Sequence, residues 1–178
     1  MWPEELSQVR IPMERDSCAW GDRMLTDYPV VVDIVVRWGD MDSLGHVNNI
    51  LYLQYFETAR IDYLMRLGMD PPGPSWQESG LIIKSVTCRF VAPVKFPDTL
   101  SVGARVASIG DDRLIMEHAA YSQRMGSLAA EGDAVIVSYD YVNCRRRPLS
   151  TDTLGAINAL EGRELPRLTK PGRTTQPH

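Results

Sequence analysis

An α+β fold, one antiparallel five-stranded sheet packed on one long helix, is what this 178-residue sequence predicts. Three observations predict it. Val30 to Arg37 is a short run dense in β-branched residues; apolar residues recur at helical spacing from Ile50 to Leu67; and from Gly80 onward four β-patterned segments are separated by turn-forming residues.

The elements follow in order. Residues 1–27 mix charges, Pro, Gly and Met without sustained periodicity, and read as an N-terminal tail or an arm over the body. Val30 to Arg37 reads as a well-buried strand, and W-G-D-M-D-S-L-G-H-V-N-N after it has the Gly, Asp, Ser and Asn content of a turn. Leu53, Phe56, Ala59, Tyr63, Leu64 and Leu67 recur at helical spacing, with Asn48 or Asn49 as N-cap and Gly68 as stop. At 1.5 Å per residue such a helix is roughly 27 Å long, enough for a core element. The run Pro71 to Pro74 ends it. Leu81 to Ala92, Thr99 to Ile109, Arg113 to Gln123 and Leu128 to Tyr141 then read as strands, the last three joined by hairpin-length gaps. Thr151 to Leu160 is compatible with a short closing helix, and residues 163–178 with a flexible C-terminal tail. The domain expected is therefore 28–162. A helix covering one face of a sheet leaves edges and apolar surface that favour pairing of copies, so a homodimer or homotetramer is expected.

Composition narrows the function. Apolar residues are 44% and charged residues 24%, the balance of a soluble globular protein, and the net charge of −4 argues against a nucleic-acid groove. Cys18, Cys88 and Cys144 are widely spaced and odd in number, unlike a disulfide framework or a C-x-x-C knuckle. The N-terminal residues lack the basic start and apolar core of a secretory signal, and no apolar run approaches the ~20 residues of a membrane span. A cytoplasmic protein without membrane or nucleic-acid partners is expected. The three His residues form no H-x-x-x-H or H-E-x-x-H pair and no Gly-rich phosphate loop follows a strand, so neither a metal nor a nucleotide cofactor is expected.

The chemistry concentrates between Arg37 and Arg60: R-W-G-D-M-D-S-L-G-H-V-N-N-I-L-Y-L-Q-Y-F-E-T-A-R. A strand ending in an aromatic-Gly-Asp-x-Asp turn, followed through a Gly by a long helix, resembles the signature of the 4-hydroxybenzoyl-CoA thioesterase family of the hotdog-fold superfamily. The strand order after residue 80 matches too, so the resemblance extends over residues 29–142. It implies a single hotdog fold, with the five-stranded sheet wrapped around one central helix. It also implies hydrolysis of an acyl-CoA thioester, coenzyme A entering as part of the substrate.

The resemblance makes Asp42 the catalytic carboxylate, as nucleophile or as base for a water, and the backbone N–H of Asn49 the oxyanion donor. Both suit a thioester: its carbonyl is weakly stabilised by resonance, its thiolate leaves readily, and a helix N-terminus presents free N–H groups to negative charge. Asp40 reads as a structural acid of the turn. His46 is either a solvent-facing loop residue or the counterpart of the catalytic His in plant-type acyl-acyl-carrier-protein thioesterases, although Leu44 stands where that family has Asn. Glu57 aligns with an acid that meets the acyl end in some members; otherwise it pairs with Arg60 at i,i+3. For the coenzyme A phosphates, Gly110-Asp111-Asp112 replaces the family's basic cluster and leaves Arg113, with Arg89, Lys95, Arg124 and the run Arg145 to Arg147 as further cations. That last run equally reads as a solvated strand end. An acyl-acyl-carrier-protein thioesterase and a non-catalytic acyl-CoA-binding or regulatory module are the alternatives. An R-type enoyl-CoA hydratase fits worse, because Asp42 and His46 are four residues apart and lack the N-P of that motif.

Overall fold

The computed structural model describes residues 25–69 and 79–168; most of the expected N-terminal arm, the proline run at 71–74 and the tail beyond 168 lie outside the described residues. The chain runs β1 (Val30–Val36), a 3-10 turn (Trp38–Asp40), α1 (Asn49–Arg66), β2 (Ser79–Val86), β3 (Arg89–Phe90), β4 (Asp98–Ile109), β5 (Arg113–Ser122), β6 (Ser127–Asp140), β7 (Arg145–Arg146) and α2 (Thr151–Glu161). The strands form one antiparallel sheet in the order β1-β4-β5-β6-β2, with β3 and β7 also on β6.

The α+β class stands, with one correction: the described sheet has seven strands rather than five, while the short closing helix expected at Thr151 to Leu160 forms as α2. The expected strand Leu81 to Ala92 is interrupted at Thr87 and Cys88 and leaves the ladder after Phe90, where the N–H groups of Val91 and Ala92 both donate to the Ala129 carbonyl. Two donors on one carbonyl cannot continue a regular register. The seventh strand arises because Cys144, at φ 49°, turns the chain back so that Arg145 and Arg146 pair with Asp140 and Tyr139. Arg146 then lies 3.5 Å from Asp112 instead of ending free in solvent.

Helix α1 starts where the Asn48 side chain accepts the Ile50 N–H. It buries Tyr52, Tyr55, Phe56, Ala59, Tyr63 and Leu64 against inward residues of β1, β4 and β5, among them Val30, Leu100, Val102 and Met116. Leu53, expected on the buried stripe, instead faces outward with Asn49 and Glu57, one helical row along. Phe56 and Tyr63 are fully buried, and loss of such an aromatic side chain costs about 3–5 kcal/mol.

Helix α2 is capped by Ser150, whose hydroxyl accepts the Thr153 N–H, and stops at Gly162 in the left-handed region. Its Glu161 carboxylate accepts from the Tyr63 hydroxyl at 2.8 Å and from the Val106 N–H at 2.6 Å, which ties α2 to both α1 and β4. Part of the stretch expected as tail continues this packing: Leu165 is buried, and Ile109 exchanges backbone hydrogen bonds with Pro166 and Leu168.

Candidate active site

Two acids two residues apart in the turn after β1 receive different environments. One Asp40 carboxylate oxygen accepts the Arg37 N–H at 2.8 Å and the Tyr55 hydroxyl at 3.0 Å, while the Asp40 carbonyl accepts the Asn48 N–H. Burial, and the Asp40 carboxylate beside it, hold the Tyr55 hydroxyl far above its ordinary pKa, so it is a donor. Asp40 thereby stitches the turn to the first turns of α1.

Asp42 is held differently. Its N–H donates to the His46 carbonyl and its carbonyl accepts from Gly45, whose φ of 77° closes the turn. In the side chain, Oδ1 accepts the Leu44 N–H at 2.8 Å, and Oδ2 has no partner among the described residues. One oxygen is anchored and the other is open. The Val47 N–H donates to the Val94 carbonyl, which fixes this loop against the segment that follows β3.

Between loop and segment runs a groove of about 520 Å³. Asp42, His46 and Asn49 line it together with the apolar side chains of Leu44, Phe90 and Val91. The volume suits a small-molecule ligand, and its walls are mostly apolar with a few convergent polar groups. Tyr52 closes the base: it stacks edge-on to Phe90 with centroids 5.4 Å apart, and burial pushes its hydroxyl up to about 12, so it stays neutral. Asn49 is the first helical residue, whose N–H has no intrahelical acceptor; the cap takes the Ile50 N–H and leaves that of Asn49 open among the described residues. The groove therefore joins an open carboxylate oxygen, an imidazole and a free N–H at the positive end of α1.

Glu57 does not line this groove. It lies eight residues, about 12 Å, further along α1, is exposed, and accepts from the Arg60 guanidinium at 3.1 Å. Nor do the two expected phosphate cations line it. Arg89 is adjacent to Phe90 but pairs with Glu131, its Nε at 2.9 Å. Arg113 pairs with Asp112 at 2.7 Å and stands opposite Val137, seven residues along β6 from the Ala130 that faces Phe90, about 23 Å at strand spacing.

Sequence reasoning missed Tyr52, Phe90 and Val91 as groove walls. The signal was available only for Tyr52, one helical turn from Asn48; the exit of the chain from the ladder after Phe90 had none. Among the described residues no cluster of three or more His, Cys, Asp or Glu could hold a metal ion, and no helix is long and apolar enough to cross a membrane.

Comparison with known proteins bears on the same segment. A family model described as the thioesterase-like superfamily matches residues 36–157. The structure is similar to that of a thioesterase complexed with coenzyme A and Zn from Thermus thermophilus, at 34% identity and a TM-score of 0.69, over 78% of this chain and 98% of that one. It also resembles BH1999 gentisyl-coenzyme A thioesterase, at 25% identity and a TM-score of 0.64, over 71% and 98% of the two chains. A chloroplastic acyl-acyl carrier protein thioesterase of Arabidopsis thaliana is 27% identical over 112 residues, 62% of this chain; the match spans only 59% of that relative's length.

Proposed function

We propose, from the premise that this chain belongs to the thioesterase-like superfamily, that it hydrolyses an acyl-CoA thioester to the free acid and coenzyme A. The observation that carries this reading is that Asp42, with one carboxylate oxygen unpartnered among the described residues, and Asn49, at the N-terminus of α1, line one groove with mostly apolar walls. Asp42 acts as general base: its free oxygen takes a proton from water while the water oxygen bonds to the thioester carbonyl carbon. The carbonyl oxygen becomes an oxyanion held by the Asn49 N–H and the positive end of α1. Collapse breaks the C–S bond, and the thiolate takes up a proton from Asp42 or from His46. An acyl group bound over the apolar side chains of Leu44, Phe90 and Val91 displaces water there, which strengthens the hydrogen bond to the oxyanion.

The acyl group runs along the outward row of α1, past Leu53 toward Glu57, whose carboxylate meets a polar acyl end. Arg89, one residue from Phe90, is the nearer of the two cations to the groove, and a coenzyme A phosphate there competes with Glu131 for it. A homodimer fits the exposed Ile50 and Leu53 on α1 and the outer edge of β2; light scattering of the purified protein tests this.

The decisive experiment follows thiol release from short, long and aromatic acyl-CoAs in wild type and Asp42→Asn. Turnover that collapses in the variant supports the reading. Turnover unaffected by the substitution removes Asp42 from the chemistry. The likeness to an acyl-acyl carrier protein thioesterase makes acyl-carrier protein the second carrier to test, and ligand binding without hydrolysis on either carrier identifies a binding module.

A further inference from the structure

At the end of the sheet where β1 and β4 finish pairing, with Val36 opposite Asp98, the surface turns apolar. Val35, on the outer face of β1, is 66% exposed, and Trp38, in the turn that follows, is 72% exposed. The Trp38 ring meets the exposed Phe96 edge-on, with centroids 5.9 Å apart. Met125, between β5 and β6, is exposed at the same end: the Ser122 hydroxyl accepts its N–H and itself donates to Asp98. Single exposed apolar side chains need no explanation, but several large ones gathered together mark an interaction surface.

Charge decides what that surface meets. Arg37 and Lys95, chain neighbours of Trp38 and Phe96, are both exposed, and the Arg124 guanidinium donates to the Pro97 carbonyl at 3.4 Å, beside Phe96. None of the three forms an ion pair among the described residues. The carboxylates here are engaged elsewhere. Asp40 accepts from the Arg37 N–H and the Tyr55 hydroxyl, and buried Asp98 accepts from the Thr99 and Arg124 N–H groups and the Ser122 hydroxyl. Asp33, two residues from Val35 on the same face, accepts from the Ser101 hydroxyl. The net charge of −4 belongs to the whole chain and not to this end of it. A second copy seated symmetrically on the patch would set the same cations against each other. Aromatic rings ringed by unpaired Arg and Lys suit a headgroup layer instead, where indoles settle and each cation is drawn to anionic lipid. We infer that this end of the sheet docks the protein peripherally on an anionic phospholipid surface. In the thioester groove, Asp42 is four residues from Trp38 and Pro93 two from Lys95, at most about 14 Å and 7 Å of extended chain, so a docked protein holds the groove close to the lipid.

Co-sedimentation of the full chain with vesicles tests this, using equal parts of phosphatidylglycerol and phosphatidylcholine against phosphatidylcholine alone. Wild type should bind the mixed vesicles and not the neutral ones, and high salt should weaken binding by screening. Trp38→Ala should weaken it about tenfold or more, as withdrawal of an indole requires, and Lys95→Glu about fivefold or more. Arg147→Glu should leave it unchanged, because Arg147 is bonded to Ser138 at the far end of β6. All three side chains are exposed, so the variants should keep the wild-type circular dichroism. Absence of binding, equal binding to neutral vesicles, or an equal loss in Arg147→Glu overturns the inference. Self-association that Trp38→Ala abolishes, without vesicle binding, gives the patch to a second copy and overturns it too. No thioester enters these measurements, so their failure is distinct from failure of the proposed hydrolysis.

Discussion

Asn49→Pro isolates the proposed oxyanion donor from everything else in the site. Proline deletes one backbone N–H, and at the first helical position that N–H has no intrahelical acceptor to lose. The residue before a proline must be extended, and Asn48 already has φ −60° and ψ 134°. The Asn49 side chain makes no hydrogen bond among the described residues, and the cap from Asn48 to Ile50 is untouched. The variant is therefore expected to stay within about 1 kcal/mol of wild type in urea unfolding, since proline is well tolerated at N1. Its kcat should fall about 10²- to 10³-fold, the loss found on removing one oxyanion donor, with KM little changed. Asn49→Ala, which keeps the N–H, should retain kcat within severalfold. A stable Asn49→Pro protein with wild-type kcat would refute the assignment of the oxyanion to α1, whatever becomes of Asp42.

Three further outcomes are expected. Asp42→Asn should lose about 10²-fold or more in kcat, the usual contribution of a general base; in a single turnover of wild type in ¹⁸O-water the label should enter the product acid and not Asp42, as mass spectrometry of the protein will report. Gly132→Ala should be destabilised by about 1–3 kcal/mol in urea unfolding, the usual cost of overpacking, because its Cβ meets a backbone oxygen at 2.2 Å that no side-chain rotation relieves. Burial lowers the folded pKa of His118 to about 3, below its ordinary value of 6.5, so its neutral form favours folding above pH 6.5 and that contribution is lost as pH falls toward 3. Across that window it steepens the acid decline of stability by up to about 1.4 kcal/mol per pH unit, and His118→Phe should flatten the decline measured by denaturation at a series of pH values.

The elements were legible where periodicity and caps agree. Val30–Val36, Asn49–Arg66 and the hairpins of β4, β5 and β6 follow from their residues within a position or two. What escaped was set by contacts remote in sequence. The interruption of the edge strand at Thr87 depends on Gly132, forty-five residues later, and the outward turn of Leu53 depends on which side of α1 the curled sheet covers. The expected site residues divide in the same way. Asp42, His46 and Asn49 converge because one loop of eight residues carries all three. Glu57 and Arg113 were joined to them by motif alone, and the chain puts Glu57 two helical turns away and Arg113 near the other end of β6.

The family resemblance gave the two acids of the turn different roles, Asp40 structural and Asp42 catalytic, although their residue types alone do not rank them. Asp40 and Asp42 differ little as sequence: both are acids in a Gly-rich turn before a helix. Their difference lies in what the fold brings to each. Tyr55, fifteen residues on, reaches back to Asp40 and joins the Arg37 N–H on the same carboxylate oxygen, so that oxygen serves the structure. Nothing from α1 reaches Asp42 in this way. Among the described residues its side-chain bond is to Leu44, two residues on, which fixes the orientation of the carboxylate and leaves Oδ2 facing no partner. A carboxylate without its hydrogen bonds met is worth little to stability and much to chemistry, because the open oxygen can accept a proton. On the proposed mechanism, the long reach of Tyr55 is what separates the structural acid from the reactive one. On this argument Tyr55→Phe should cost about 1 kcal/mol of stability, the usual worth of one hydrogen bond, while moving kcat far less than Asp42→Asn does. A collapse of kcat in a folded Tyr55→Phe protein would place Asp40 in the chemistry instead.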